Sequence, residues 1–224
     1  MAGLLARYDA LIASGELRAD ADQRAAAEKL AALQTALEAE APSGGLLGKL
    51  FGKKAAPARG LYMWGGVGRG KSMLMDLFHE TLNLPAKRRV HFHAFMQEVH
   101  AAMREVRKSE SGDPIPQVAE RLAGSLKCLA FDEMVVNNSA DAMIMSRLFT
   151  ALLDAGVGLV TTSNRPPRDL YKDGLNRKLF LPFIDLIEGR LEVVGLNGAT
   201  DYRLDRLKGI DTWYVPNGPA ATAA

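Results

Sequence analysis

Cysteine is nearly absent from this sequence, and long apolar runs are missing. The 224 residues include a single cysteine, Cys128. One cysteine cannot form an intrachain disulfide, which is typical of proteins from a reducing compartment. No apolar stretch approaches the roughly 20 residues of a membrane-spanning helix. The amino terminus carries acidic residues early and has no apolar segment of the secretory type, so we expect a cytoplasmic protein.

A strong charge imbalance is also absent. Lysine and arginine total 28 against 26 acidic residues, which gives a net charge of +2. Proteins that bind nucleic acid usually concentrate basic residues on one face, so this balance argues against a nucleic-acid partner. Hydrophobic residues make up 48% of the chain, which is enough for one globular domain with a sizeable core.

Four regions follow one another along the chain. Residues 1–41 are predicted to form a helical extension, because apolar residues recur there at helical spacing. Residues 42–58 are rich in Pro, Gly and Lys and are predicted to be a linker. We expect the core domain to span 59–208 and a frayed tail to follow over 209–224. The apolar residues at helical spacing are Ala26, Leu30, Leu33 and Leu37.

Strand patterns alternate with helix patterns from residue 59 onward. Such alternation predicts an α/β protein, with a parallel five-stranded sheet flanked by helices on both faces. The second predicted strand would place His91 and Phe95 on strand positions. The predicted strands span 60–64, 88–95, 126–131, 157–163 and 190–196.

A glycine-rich loop separates the first predicted strand from the helix that follows. Residues Gly65–Ser72, here called the phosphate loop, match the pattern G-x-x-x-x-G-K-[ST] without a mismatch. Glycines let backbone N–H groups turn toward phosphate oxygens, and the positive end of the helix dipole adds to this attraction. Lys71 would reach the β- and γ-phosphates, and Ser72 would ligate Mg²⁺. The predicted nucleotide-binding residues are Gly65, Gly66, Val67, Gly68, Arg69, Gly70, Lys71, Ser72 and Met73.

Two adjacent acids follow the third predicted strand. Asp132 and Glu133 end an apolar run, and acids at the end of a buried strand are costly unless they face a cation. An aspartate there can hold Mg²⁺ through its water shell, and a neighbouring glutamate can act as general base on an attacking water. We therefore predict Asp132 and Ser72 as metal residues and Glu133 as the catalytic base.

Asn164 follows the fourth predicted strand. Ligands of parallel sheets lie outside the carboxyl ends of the strands, so the Asn164 amide is predicted to bind a γ-phosphate oxygen or the attacking water. Arg165 is its neighbour, and Arg177 stands at the start of the next helical stretch. We predict that Arg177 faces a neighbouring subunit and stabilises the transferred phosphoryl group there. A plain surface arginine is the alternative.

Taken together, these stretches resemble AAA+ ATPases, and more narrowly the ZapE family of bacterial cell-division ATPases with its mitochondrial Afg-type relatives. The resemblance implies ATP hydrolysis with Mg²⁺ by a homo-oligomer. It also implies remodelling of a protein partner, the FtsZ ring, with peripheral contact to the inner membrane at the division site. The matching stretches are 60–78, 90–100, 131–133 with 140–144, 161–184 and 200–204.

The same resemblance assigns roles to five residues. Lys71 is the Walker A lysine, and Asp132 and Glu133 are the Walker B acids. Asn164 is sensor 1, and Arg177 is the arginine finger. These assignments agree with the roles predicted from the residues themselves.

This chain departs from the family pattern in two places, and the role of two residues near the amino terminus has two interpretations. The family usually has an aromatic residue after the two acids, where this chain has Met134. Asp20 and Gln23 either lie near the adenine or cap a helix. The family continues into a helical lid with sensor 2, and we expect this chain to lack most of that lid.

Two other functions are compatible with the same motifs. A P-loop small-molecule kinase also has a phosphate loop and a parallel sheet, but it passes the phosphoryl group to an acceptor other than water. The acid pair and Asn164 favour hydrolysis over this reading. A nucleotide-dependent adaptor without efficient turnover is the second alternative, and the expected lack of the lid favours it.

Overall fold

Strands and helices alternate along the chain in a computed structural model, which describes residues 3–39, 60–109 and 112–197. The predicted linker 42–58 and tail 209–224 lie outside the described residues. No helix within the described ranges is long and apolar enough to cross a membrane. The elements are α1 Leu4–Ala13, α2 Ala21–Ala39, β1 Gly60–Trp64, α3 Lys71–Thr81, β2 Lys87–His91, α4 Phe92–Ser109, α5 Ile115–Ser125, β3 Cys128–Asp132, α6 Ser139–Asp154, β4 Gly158–Ser163, α7 Leu181–Arg190 and β5 Leu191–Gly195, with short 3-10 turns at Pro167–Asp169 and Arg177–Leu179.

The five strands form one parallel sheet in the order β2-β3-β4-β1-β5. Met63 of β1 lies opposite Thr162 of β4, and Phe131 of β3 lies opposite Thr161. The carboxyl ends of β3, β4 and β1 are therefore neighbours at one edge of the sheet. The predicted parallel five-stranded sheet is confirmed.

Side chains on successive strand positions enter two separate apolar cores. Tyr62 and Phe131 pack with α4 to α7 on one face of the sheet. Leu61 and Ala130, one position earlier on the same strands, pack with α1 to α3 on the other face. Because consecutive residues of a strand point to opposite faces, β1, β3, β4 and β5 contribute to both cores. This explains why β1, β3 and β4 are largely apolar, whereas β2, at the edge of the sheet, begins with three basic residues.

The amino-terminal helices pack against the sheet. The helical pattern of this region is interrupted at residues 14–20, where Gly15 has a φ of +78°. Tyr8 of α1 and Leu30 of α2 are fully buried in the same core as Phe78 of α3. This packing places the turn between α1 and α2 beside the first turn of α3.

The predicted second strand is too long. β2 ends at His91, and α4 begins at Phe92. The buried residues of α4 explain the difference, because their spacing of three, four and seven positions is that of a helix. Packing of this stripe onto the sheet outweighs the strand preference of the local run HFHAF. The buried residues are Phe92, Phe95, Met96, Val99, Met103 and Val106.

Candidate nucleotide site

The phosphate loop joins β1 to α3, as its sequence predicts. The Gly65 N–H donates to the Ser163 carbonyl over 3.2 Å, which ties the start of the loop to the end of β4. Lys71 is the first residue of α3 and is only 9% exposed. Its Nζ donates to the carbonyls of Gly65 (2.7 Å) and Gly66 (2.8 Å). The lysine thus closes the loop on itself and is positioned beside any phosphate that the loop binds.

Gly70 is one of the positions in this loop that favour glycine. Its φ is +87°, in the left-handed region that favours glycine. A Cβ added to it would lie 2.6 Å from Nε2 of Gln23. That amide nitrogen donates to the Arg69 carbonyl over 3.1 Å, so α2 is docked directly on the phosphate loop. Asp20 caps α2, since its Oδ1 accepts from the Gln23 N–H over 2.9 Å.

Asp132, at the end of β3, is held by an arginine that the motifs did not identify. Arg89 of β2 donates from Nε to Oδ2 over 2.6 Å and from Nη2 to Oδ1 over 3.2 Å. The two side chains are 24% and 13% exposed, and Arg89 also pairs with Asp76 of α3. Burial alone would lower the pKa of Arg89, but the bonds to the two aspartates outweigh it and raise that pKa. The sequence signal that could have identified it was the basic run 87–89, which overlaps the start of the second predicted strand.

Glu133 begins the turn after β3 and is exposed. Its φ is +54°, which is uncommon for a residue with a side chain. Two bonds to β4 support this conformation: the Glu133 N–H donates to Thr162 Oγ1 over 3.0 Å, and the Met134 N–H donates to the Thr162 carbonyl over 2.7 Å. Met134, at the position where an aromatic was expected, is fully buried. The buried methionine and the two bonds orient the glutamate backbone.

Asn164 and Arg165 follow β4 in a turn that is also anchored. The Tyr62 hydroxyl donates to the Arg165 carbonyl over 2.8 Å, and the Arg165 N–H donates to Ser163 Oγ over 3.3 Å. Burial raises the pKa of Tyr62, so its hydroxyl keeps its proton and remains a donor. Both side chains of the turn, Asn164 and Arg165, are exposed.

These strand ends enclose one cavity of about 480 Å³. The phosphate loop, Glu133 and Asn164 border it, and so does the turn between α1 and α2. Arg69 also contributes a buried Nη1 that has no hydrogen-bond partner in the described part of the chain, and a buried unpaired donor suits an anionic ligand. The lining residues are Gly15, Glu16, Leu17, Arg18, Gln23, Val67, Gly68, Arg69, Gly70, Lys71, Ser72, Met73, Glu133, Thr162, Ser163 and Asn164.

Some of the predicted site residues lie outside this lining. Gly65 and Gly66 are not among the lining residues, and their carbonyl oxygens accept hydrogen bonds from Lys71 Nζ. Asp132 is turned toward Arg89. Arg177 lies in the 3-10 turn before α7, where its Nη2 donates to the Arg168 carbonyl over 2.6 Å. The structure therefore brings Lys71 and Ser72 together with Glu133 and Asn164, and it places Arg177 elsewhere on the same chain.

The donor groups beside the phosphate loop fit Mg²⁺. Ser72 is exposed at the start of α3. Asp132, at the end of β3 and two strands from β1, supplies a carboxylate whose two oxygens accept from Arg89. Mg²⁺ prefers oxygen ligands and is commonly held by one or two carboxylates together with phosphates and waters. Such a site needs no dense ligand cluster, and among the described residues no group of three or more His, Cys, Asp or Glu side chains is gathered.

A family model of AFG1-like ATPases matches residues 3–224. This chain belongs to the AFG1-like ATPase family. Cell division protein ZapE of Escherichia coli K12 is 44% identical to this AFG1-like chain over 174 residues, which are 76% of the chain and 46% of ZapE. Lactation elevated protein 1 homolog B of Danio rerio is 40% identical over 181 residues, which are 76% of the chain and 36% of that relative. The resemblance to the ZapE family is confirmed, and the chain spans less than half the length of these relatives.

Solved structures share the fold of this AFG1-like chain. DnaI aligns with a TM-score of 0.53 at 15% identity, over 84% of this chain and 87% of DnaI. AMPPCP-bound DnaA from Aquifex aeolicus aligns with a TM-score of 0.52 at 20% identity, over 86% of this chain and 53% of DnaA. Identities this low show the fold alone, and that fold is the predicted P-loop AAA+ core.

Proposed function

We propose that this protein binds ATP with Mg²⁺ and hydrolyses it to ADP and phosphate. One observation carries the proposal: a single cavity is bordered by the phosphate loop, Glu133 and Asn164. These groups follow β1, β3 and β4, which are neighbours in the sheet. Phosphoryl transfer to water needs a phosphate cradle, a base and a polar group near the γ-phosphate, and the cavity offers all three.

Each residue of the site would have a separate role in the reaction. Lys71 and the N–H groups of the loop bind the β- and γ-phosphates. A water oxygen attacks the γ-phosphorus, the bond to the β–γ bridging oxygen breaks, and Glu133 accepts the proton of the water. Asn164 orients the water or a γ-phosphate oxygen. Ser72 and Asp132 would hold Mg²⁺, which neutralises phosphate charge when it is bound.

Replacement of Lys71 by methionine tests the binding step. We expect Lys71→Met to weaken ATP binding at least about tenfold, because one charge-assisted contact to phosphate contributes about 1.5–3 kcal/mol. Titration with a fluorescent ATP analogue in the presence of Mg²⁺ measures this affinity. ADP production by the same samples reports turnover.

Lys87 supplies the matched control at the other end of α3. Its Nζ donates to the carbonyls of His79 and Leu82, so Lys87→Met also removes a lysine that holds two backbone carbonyls. We expect its nucleotide affinity to match wild type. Equal losses in the two variants would mean that Lys71 only supports the fold, and the proposal would be wrong. Binding by wild type without turnover would favour the adaptor function.

We further propose that the partner is the FtsZ ring, at the division site in the cytoplasm. The support is the 44% identity to a relative named cell division protein ZapE. Glu133→Gln protein, which is expected to hold ATP without hydrolysing it, should pellet with FtsZ polymers when ATP is present and remain in the supernatant without nucleotide. Pelleting that does not depend on ATP, or none at all, would remove FtsZ as a partner.

A further inference from the structure

The turn between α1 and α2 borders the same cavity as the proposed catalytic groups. In the proposed function, the γ-phosphate faces Glu133 and Asn164, and the β-phosphate lies on the phosphate loop. The ribose and base must then extend toward the remaining border of the cavity. That border includes Gly15–Arg18 and Gln23, together with Met73, Thr162 and Ser163, so the amino-terminal region is placed where it could contact the base.

In the side-chain amide of Gln23, the nitrogen has a hydrogen-bond partner among the described residues and the oxygen has none. The residue is 1% exposed, and its Nε2 donates to the Arg69 carbonyl over 3.1 Å. A carbonyl can only accept, so the amide nitrogen faces the loop and the amide oxygen is presented elsewhere. That oxygen, Oε1, is buried and has no hydrogen-bond partner in the part of the chain that the structure describes. A buried acceptor without a donor is unfavourable until a ligand supplies one.

We propose that Gln23 selects the base of the bound nucleotide. Adenine presents an exocyclic amino group, which can donate to the vacant Oε1. Guanine and hypoxanthine present a carbonyl oxygen at the same ring position, and two acceptors repel each other. Leu17 and Met73 border the same cavity and offer apolar contact to the ring. Because Oε1 is buried, neighbouring atoms must move as the base enters.

This inference rests on the proposed ATP binding and adds a specificity residue to it. The backbone of the phosphate loop fixes the orientation of the amide, because the Arg69 carbonyl accepts from Nε2 and Gly70 leaves room for the side chain. A rotated amide would lose that bond and place its nitrogen toward the base. The contact between α2 and the phosphate loop therefore fixes the amide orientation that favours an amino group over a carbonyl on the base.

ATP and ITP distinguish the two base patterns on the wild-type protein. They share the sugar and the triphosphate and differ in the group at ring position 6. We expect the wild-type chain to bind ATP about tenfold more tightly than ITP, the factor that one hydrogen bond typically contributes. Displacement of a fluorescent ATP analogue by unlabelled ATP and by ITP, with Mg²⁺ present, measures the two affinities.

Gln23→Met and Gln34→Met form a matched pair of variants. Gln34 lies about three turns further along α2, is 8% exposed, and donates from Nε2 to the Thr81 carbonyl over 2.9 Å. It therefore docks α2 on the far end of α3, away from the cavity. We expect Gln23→Met to bring the ATP-to-ITP ratio within about twofold of unity, whereas Gln34→Met keeps the wild-type ratio. Thermal unfolding of both variants reports the docking contribution separately.

The outcomes separate the inference from the proposed function. If wild type binds ATP and ITP equally, Gln23 does not read the base, although ATP binding still stands. If Gln23→Met keeps the tenfold ratio, Gln23 is only a docking contact and the inference is wrong. If no nucleotide displaces the fluorescent analogue, or the analogue itself does not bind, the proposed function fails and the inference fails with it.

Discussion

Replacing Glu133 by glutamine is expected to lower the rate of ATP hydrolysis by about 10²–10⁴-fold, while ATP affinity stays within about twofold of wild type. Glutamine has nearly the same size but cannot accept the proton of the attacking water. The backbone of residue 133 is held by its own N–H on Thr162 Oγ1 and by the next N–H on the Thr162 carbonyl. Neither bond involves the replaced carboxylate, so the geometry of the turn should survive.

Phosphate release at saturating ATP measures the rate, and equilibrium titration measures the affinity. Glu120→Gln is the control, since Glu120 is an exposed residue of α5 and loses the same charge outside the cavity. It should hydrolyse ATP at the wild-type rate. A Glu133→Gln protein that binds ATP and releases phosphate as fast as wild type would exclude Glu133 as the base.

Arg177→Ala is expected to lower hydrolysis by the assembled protein by about 10³-fold or more, the scale of an arginine that acts across a subunit boundary. The expectation depends on the homo-oligomer that the family resemblance implies. Specific activity of wild type should then rise with protein concentration, and that of the variant should stay low. Steady-state phosphate release over a range of concentrations measures both curves.

The contacts of Arg177 within the chain are compatible with a role across a subunit boundary. Its Nη2 is bound to the Arg168 carbonyl, while its Nε is buried without a partner among the described residues. Leu175 and Leu179, on either side of it in sequence, are 79% and 47% exposed. The guanidinium has five N–H donors, so one intrachain bond does not exhaust it.

Mixing two inactive variants gives the sharpest test of this arginine. Glu133→Gln subunits keep Arg177, and Arg177→Ala subunits keep Glu133, so a boundary between them contains one complete site. The mixture should hydrolyse ATP faster than the sum of the separate proteins. Activity equal to that sum would show that Arg177 does not act across a boundary.

Two further arginines control for changes in the same region. Arg168→Ala removes the side chain that pairs with Glu188 but keeps the carbonyl that Arg177 binds. Arg165→Ala removes the exposed arginine next to Asn164. Both are expected to retain hydrolysis within a few-fold of wild type. A loss confined to Arg165→Ala would transfer the finger role to Arg165.

The phosphate loop was predictable from sequence because its function is local. The glycines and Lys71 act within eight consecutive residues, and backbone geometry alone turns the N–H groups inward. The predicted grouping of Glu133 and Asn164 with this loop needed one more step. Alternating strands and helices imply a parallel sheet, and parallel strands end at a common edge, so three separate motifs could be placed together.

Local pattern was insufficient at the junction of β2 and α4. The run HFHAF suits a strand, but the residues that decide the structure are buried ones further along, from Phe95 to Val106. They form a helical stripe that packs on the sheet. The energy gained by burying that stripe depends on the sheet it meets, which a short window of sequence does not contain.

By itself, the sequence determined the strand order in the chain, the phosphate loop and the residues that stand at the strand ends. Only the tertiary structure decided which distant side chains support them. Arg89 meets Asp132 across 43 positions, and Gln23 meets Arg69 across 46. Contacts of this kind depend on how α2 and β2 pack against the core, because hydrogen bonds and ion pairs act over a few ångströms in space regardless of separation along the chain.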